Sequence, residues 1–218
     1  MTILEMHEQF RMLAQQAGLQ MVNAIFEEEI DMLLNQEILN VTRSIFSRKT
    51  NRELNGISDN VVRLAELSNL YVNEVVTSTK ENILYGVGYK IYTSSFYEEL
   101  MYLISVSSST GGVYNKCRLI ELDRVLETNN DYHSKSIKES PIAYSYDSSI
   151  EILASKFDVD SLIVNYLRYP AKVSLENGID CDLAKSLHYD CVEKAVNAYN
   201  ASINNPSYEK VLNETQNK

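Results

Sequence analysis

The stretch Leu162 to Ala201, LIVNYLRYPAKVSLENGIDCDLAKSLHYDCVEKAVNAYNA, constrains the fold most, because it changes physical character twice within forty residues. Leu162 to Tyr169 is rich in β-branched, aliphatic and aromatic side chains, which suit a pleated, half-buried strand. Pro170 has no amide hydrogen, so the strand stops there or runs along a sheet edge. Glu176-Asn177-Gly178 is turn chemistry. Asp180 and Asp182 are then placed to accept bonds from the free amides of a following helix start. In that helix Leu187, Cys191, Val192, Ala195, Val196 and Tyr199 form one stripe at the helical period, closed by Asn204-Asn205-Pro206. A strand-turn-helix of this kind has to bury its stripe against another part of the chain.

The N-terminal third reads as helical. Thr2 as N-cap with Glu5 three residues on is a capping box for a helix over Ile3 to Ala17, with Met6, Phe10, Leu13 and Ala17 as its stripe. Gly18 marks a bend or break. A second helix runs from about Phe26 to Phe46, with Ile30, Leu33, Leu34, Ile38, Val41 and Ile45 on one face and Glu27, Glu28 and Glu29 at its positive dipole end. Ser47 to Ser58 is polar and contains Asn55-Gly56, so it reads as a loop. Asp59 or Ser58 caps a third helix, whose Val62, Leu64, Ala65, Leu67, Leu70, Val72, Val75 and Val76 make a broad apolar face for a bundle or a neighbouring subunit.

After a polar breakpoint at Thr77 to Glu81 the pattern turns to alternation. Asn82 to Phe96 carries Gly86 and Gly88 and reads as strand with a bulge or bend. Tyr102 to Ser109 and Tyr114 to Ile120 read as strands about a Gly111-Gly112 turn, and Ile142 to Tyr146 with Ile150 to Ser155 as a hairpin about Asp147-Ser148-Ser149. The expected fold class is α+β: a helical bundle with an antiparallel β-sheet or meander insertion and a C-terminal helix. The expected organisation is one domain over 1–203, helical over 1–80, β-rich over 82–175 and closed by a helix over 183–203, with a polar tail over 204–218.

Composition narrows the function. No run approaches the ~18 apolar residues of a membrane span, and no basic, apolar leader is visible. Thirty acidic against 20 basic residues give a net charge of −10, which disfavours a nucleic-acid groove. Arg43, Arg48, Lys49 and Arg52 cluster, but no aromatic residues interleave with them. Cys117, Cys181 and Cys191 are an odd number without scaffold spacing and point to a reducing compartment.

Candidate chemistry is thin. Cys181, His188 and Cys191 are three local ligands where zinc takes four, and Cys191 falls on the apolar stripe. Cys117 with His133 or His188 has no partner acid at motif spacing. Ser105, Ser107, Ser108 and Ser109 before Gly111-Gly112 lack the Lys-Ser/Thr end of a phosphate loop. Asp158 and Asp160, like Asp180 and Asp182, stand where caps and turns stand. The expectation is no catalytic residue, no cofactor and no metal. Fifteen tyrosines and no Trp leave aromatic surface for core edges or subunit contacts. In the tail, Tyr208, Val211 and Leu212 would form one face of a helix on a partner.

Both ends of the chain resemble one family. The block "YLRYP-KV-L", then "G-DC-L", then a His-bearing helix with "V-KAV-AY", and the opening "MTI-EMH--F" followed by "EEID--LN", are similar to head–tail connector (adaptor or ring) proteins of short-tailed, crAss-like phages of Bacteroidetes. The resemblance implies a non-enzymatic virion protein assembled in the host cytoplasm. It further implies a ring of about twelve copies below the portal, touching portal and tail proteins, with no membrane contact. Genomic DNA would only pass through the bore, and the formal charge of the whole ring would sum to roughly −120 before screening, the wrong sign for DNA to bind. The rival from the residues alone is an intracellular protein–protein interaction or regulatory module, monomeric or dimeric. An enzyme would need a pocket holding His133 or His188 with a strongly shifted pKa.

Overall fold

A computed structural model describes residues 1–16, 25–51 and 65–203, with the side chains of 47–51 and 203 excepted. The chain divides into two compact units, one formed by Met1–Leu70 with Pro170–Lys218 and the other by Tyr71–Tyr169.

The expected helical bundle with a β insertion is overturned. The fold is mixed α/β and sheet-rich, with sheets of four and five strands and, among the described residues, four α-helices. Two readings account for the difference. First, Tyr71–Val76 is strand β1, not the end of a third helix. Its YVNEVV run is β-branched, and Val72, Glu74 and Val76 are half-buried while Tyr71, Asn73 and Val75 are exposed, a period of two. Second, the strands carry their own core and so make a unit, not a meander on a bundle. The Asp59 cap, Val62 and Leu64 lie outside the described residues.

The first unit holds helices α1 (Ile3–Gln16) and α2 (Glu27–Asn51), which reaches into the segment expected as loop, and the last helix, His188–Ile203. That last helix packs on both α1 and α2. Its predicted stripe is the buried one: Leu187, Cys191, Val192, Ala195 and Val196 are covered, and the Tyr199 ring meets Phe10 edge-on at 6.0 Å. The α1 capping box forms as read, Glu5 N–H donating to Thr2 Oγ1 at 3.3 Å and Thr2 N–H to Glu5 Oε2 at 2.9 Å.

The second unit is two sheets packed face to face around one core. The first sheet has order β1-β9-β4-β5, from β1, β4 (Leu100–Thr110), β5 (Val113–Lys116) and β9 (Ser161–Arg168). The second has order β2-β3-β8-β7-β6, from β2 (Lys80–Ile83), β3 (Gly86–Tyr92), β6 (Arg118–Leu119), β7 (Ile142–Tyr146) and β8 (Ser149–Leu153). Only β6–β7 is parallel. A short helix α3 (Val125–Asn130) follows β6, so the last helix, His188–Ile203, is α4. Val106, Leu162, Val164 and Tyr166 of the first sheet interdigitate with Tyr89, Ile91, Ile150 and Ile152 of the second. Phe96 stacks on Tyr166 at 5.0 Å. β9 is a central strand, and it ends at Arg168, just before the proline.

The β7–β8 hairpin turns through Asp147 and Ser148 at φ +45° and +56°, a left-handed pair that favours Asn-Gly. Thr93 secures it, its N–H and Oγ1–H both donating to the Ser148 carbonyl at 3.0 and 2.8 Å. Because that anchor is backbone, Ser148→Gly keeps it and removes the Cβ strain. The expected result is a gain of about 1 kcal/mol, read as a higher urea midpoint for the loss of near-ultraviolet tyrosine signal.

Candidate functional site

The polar residues quoted from the two ends of the chain meet in the helical unit. His7 is buried on α1, and its Nε2–H donates to Asp31 Oδ1 of α2 at 2.7 Å. The other oxygen of Asp31 accepts the Leu175 N–H at 3.0 Å. One turn further along α2, Asn35 takes the Val173 backbone in both directions, accepting its N–H at 2.8 Å and donating Nδ2–H to its carbonyl at 3.0 Å. Asp31 and Asn35 are four residues apart, so they project from the same face and hold one extended strap, Val173 to Leu175.

Downstream of the Ser174–Ile179 bridge the strap reaches α1. Asp180 Oδ1 accepts the Ile3 N–H at 2.7 Å, satisfying a free amide at the first turn of α1 and placing negative charge at its positive end. The cap read into Asp180 therefore exists, but it serves a helix 177 residues away in sequence. Asp182 accepts the Ala171 N–H at 3.1 Å and closes the strap on itself. α4 begins only at His188, after a 3₁₀ turn over Lys185–Leu187. His188 is buried, with Nε2–H donating to the Leu183 carbonyl at 2.9 Å and Nδ1 facing the Met1 amine at 2.9 Å.

His188 is thereby committed through both ring nitrogens, whereas His7 is tied through Nε2 alone and its buried Nδ1 has no hydrogen-bond partner among the described residues. Neither ring nitrogen of His188 points to an open ligand position, which argues against its use beside Cys181 and Cys191 as a zinc ligand. Among the described residues no three His, Cys, Asp or Glu side chains are grouped to hold a metal ion. The three thiols are buried, and burial raises each above the ordinary 9.0, Cys117 to about 11, Cys181 to about 11 and Cys191 to about 12.

These thiols set an alkaline limit on stability. Between pH 9 and 11 the unfolded chain loses thiol protons that the folded chain keeps, so stability falls as pH rises through that window and is fully present below it. Each thiol contributes a slope of about 1.4 kcal/mol per pH unit there. Urea midpoints should therefore drop steeply above pH 9, and less steeply in a chain with all three cysteines changed to Ala.

In the sheet unit the notable polar group is Glu151 of β8, 1% exposed. Its Oε2 accepts the Tyr144 hydroxyl at 2.7 Å and the Leu84 N–H at 3.1 Å, and its Oε1 lies 3.4 Å from Lys90 Nζ. Burial first, and then the Glu151 carboxylate, push the Tyr144 phenol well above its usual range. The group is fully paired and reads as structural. On the opposite sheet, burial and a 3.0 Å bond to Glu74 raise Tyr166 to about 12.

The remaining candidates scatter. Cys117 is buried beside Ser108, whereas His133 is exposed in the loop after α3, its ring against Tyr132. Ser108 and Ser109 are buried within β4. Asp158 pairs with Lys80 at 2.9 Å, and Asp160 accepts the Gly111 N–H at 2.7 Å. Tyr97, Tyr114 and Tyr132 are exposed, while Tyr89, Tyr144 and Tyr166 are core. Arg43 is exposed on α2, and Tyr208, Val211 and Leu212 lie outside the described residues, as does Arg52. No helix of the described residues is long and apolar enough to cross a membrane. No protein-family model and no curated protein matches the chain.

Proposed function

We propose that the chain is a non-enzymatic ring component of a phage head–tail connector, assembled below the portal around the DNA channel. The observation that carries the reading is the closure of the two resembling ends upon each other. "EMH" supplies His7, "EEID--LN" supplies Asp31 and Asn35, "KV-L" supplies the Val173 and Leu175 backbone, and "G-DC-L" supplies Asp180. Two separated sequence blocks thus act as one structural signature, which is what a shared scaffold requires of them.

The chemistry agrees with a role in fit. His7 ties α1 to α2 through Asp31, His188 is bonded through both ring nitrogens, and the thiols are protonated at neutral pH. The charge of −10 disfavours tight contact with DNA. Co-expression with the portal protein of the same phage, followed by electron microscopy, tests the placement. Ring density on the narrow face of the portal is expected. Portal particles without added density, with this chain remaining separate, would favour the single-partner interaction module.

A further inference from the structure

The four-stranded sheet of the β unit ends in two open strands. β1 bonds only to β9, and β5 only to β4; among the described residues no further backbone-to-backbone bond is made by Tyr71–Val76 or by Val113–Lys116. Edge strands normally carry a safeguard against pairing with another chain: shortness, proline, an exposed lysine or a bulge. The other sheet has such safeguards. β2 is four residues long with Lys80 and Glu81, and β6 is two residues long.

β5 shares two of them, being four residues long with an exposed Lys116, whereas β1 carries one charge alone, Glu74, which is half-buried and accepts the Tyr166 hydroxyl at 3.0 Å. β1 is six residues long, its register with β9 is unbroken, and it contains neither proline nor lysine. Side chains also hold it in place. Asn73 Nδ2–H donates to Asn165 Oδ1, and Asn165 Nδ2–H donates to Ser105 Oγ at 3.0 Å, a polar ladder across three strands. Val75 is 62% exposed beside that ladder, and on the far edge Tyr114 is 63% exposed. The chain thus presents a rigid acceptor strand on one side of the sheet and a short hairpin strand on the other.

Strand direction makes the two edges compatible. All three pairings in this sheet are antiparallel and it has four strands, so β5 runs opposite to β1. A second copy rotated about an axis along the strands therefore sets its β1 antiparallel to the β5 of the first, in the same alternation that the sheet already has. Such head-to-tail pairing is heterologous and closes into a ring when the rotation per copy allows. We propose that β1 of one copy pairs with β5 of the next, so that the four-stranded sheets join into one continuous belt. This rests on the ring reading above. At a strand spacing of about 4.8 Å, four strands take up roughly 19 Å of circumference, so about twelve copies would set the belt at a diameter of roughly 70 Å.

The test uses the full chain and two lysine variants placed at exposed positions, V75K on β1 and Y114K on β5, with V75T as a β-branched control. Light scattering after size exclusion reads the assembly state, and circular dichroism verifies folding. Wild type and V75T are expected to form species larger than dimers, and each lysine variant alone should lose assembly by about tenfold or more. An equimolar mixture of V75K and Y114K retains one intact edge of each kind and should give a one-to-one pair that grows no further. Dimers of Y114K alone would mean that β1 pairs with β1, and would overturn the proposal. A monomeric wild type, or a mixture that does not pair, would overturn it too. If the monomeric chain were nevertheless found in particles at one copy per portal subunit, edge pairing would fall and the ring reading would stand.

Discussion

Gly88→Ala is expected to cost the sheet unit about 3 kcal/mol or more, or to prevent its folding. Gly88 lies on β3 opposite Leu153 of β8, and a Cβ at this position would stand 2.0 Å from the Ile152 carbonyl oxygen and 2.7 Å from Ile83 Cδ1. The first of these atoms is backbone in the middle of a sheet, and no rotamer moves it. Relief requires β3 to part from β8, which breaks the pairing that places Tyr89 and Ile91 in the core beside Ile150 and Ile152. Urea unfolding followed by near-ultraviolet tyrosine signal measures the loss. A variant with wild-type midpoint and signal would mean that the two strands do not approach this closely.

Asp31→Ala is expected to cost the helical unit about 3 kcal/mol, because it strands two donors together. The buried His7 Nε2–H and the Leu175 N–H each lose their acceptor, and α1, α2 and the strap lose their common tie. Asp31→Asn keeps the shape and one acceptor oxygen, so its cost should be about half as large. Far-ultraviolet circular dichroism in urea gives the midpoints. Hydrogen exchange at Leu175 gives the local reading, with faster exchange in both variants and the greater change in Asp31→Ala. Equal stability of Asp31→Ala and wild type would show that the strap is held by Asn35 and packing alone.

Signals in the sequence are legible where the physics is local. Thr2 and Glu5 cap α1 through each other, and Leu187, Cys191, Val192, Ala195 and Val196 bury as one stripe. The failures come from tertiary competition. Val72, Val75 and Val76 fit a helical spacing, but the β-branched run pairs residue by residue with β9, and that pairing decides between the two periods. Asp180 was legible as a cap, yet nothing local tells which helix it serves, since Ile3 is reached only when the chain closes. Glu151 alternates with Ile150 and Ile152 and so belongs to the other face of its strand, usually the wet one. Here a second apolar layer, with Ile83, Tyr85, Ile120 and Val125, covers that face, and the carboxylate is enclosed with Tyr144 and Lys90. Asp31 and Asn35 give no more than a weak hint, since they are two polar residues four apart on a helix that carries many others.

The proposed place of this chain in a phage particle is tested by the stoichiometry of purified particles. Quantitative mass spectrometry of particles, scaled to the portal subunit, should find this chain at a ratio near one to one. Its absence from particles while it is abundant in infected cells would contradict the connector reading and make the single-partner interaction module the better account.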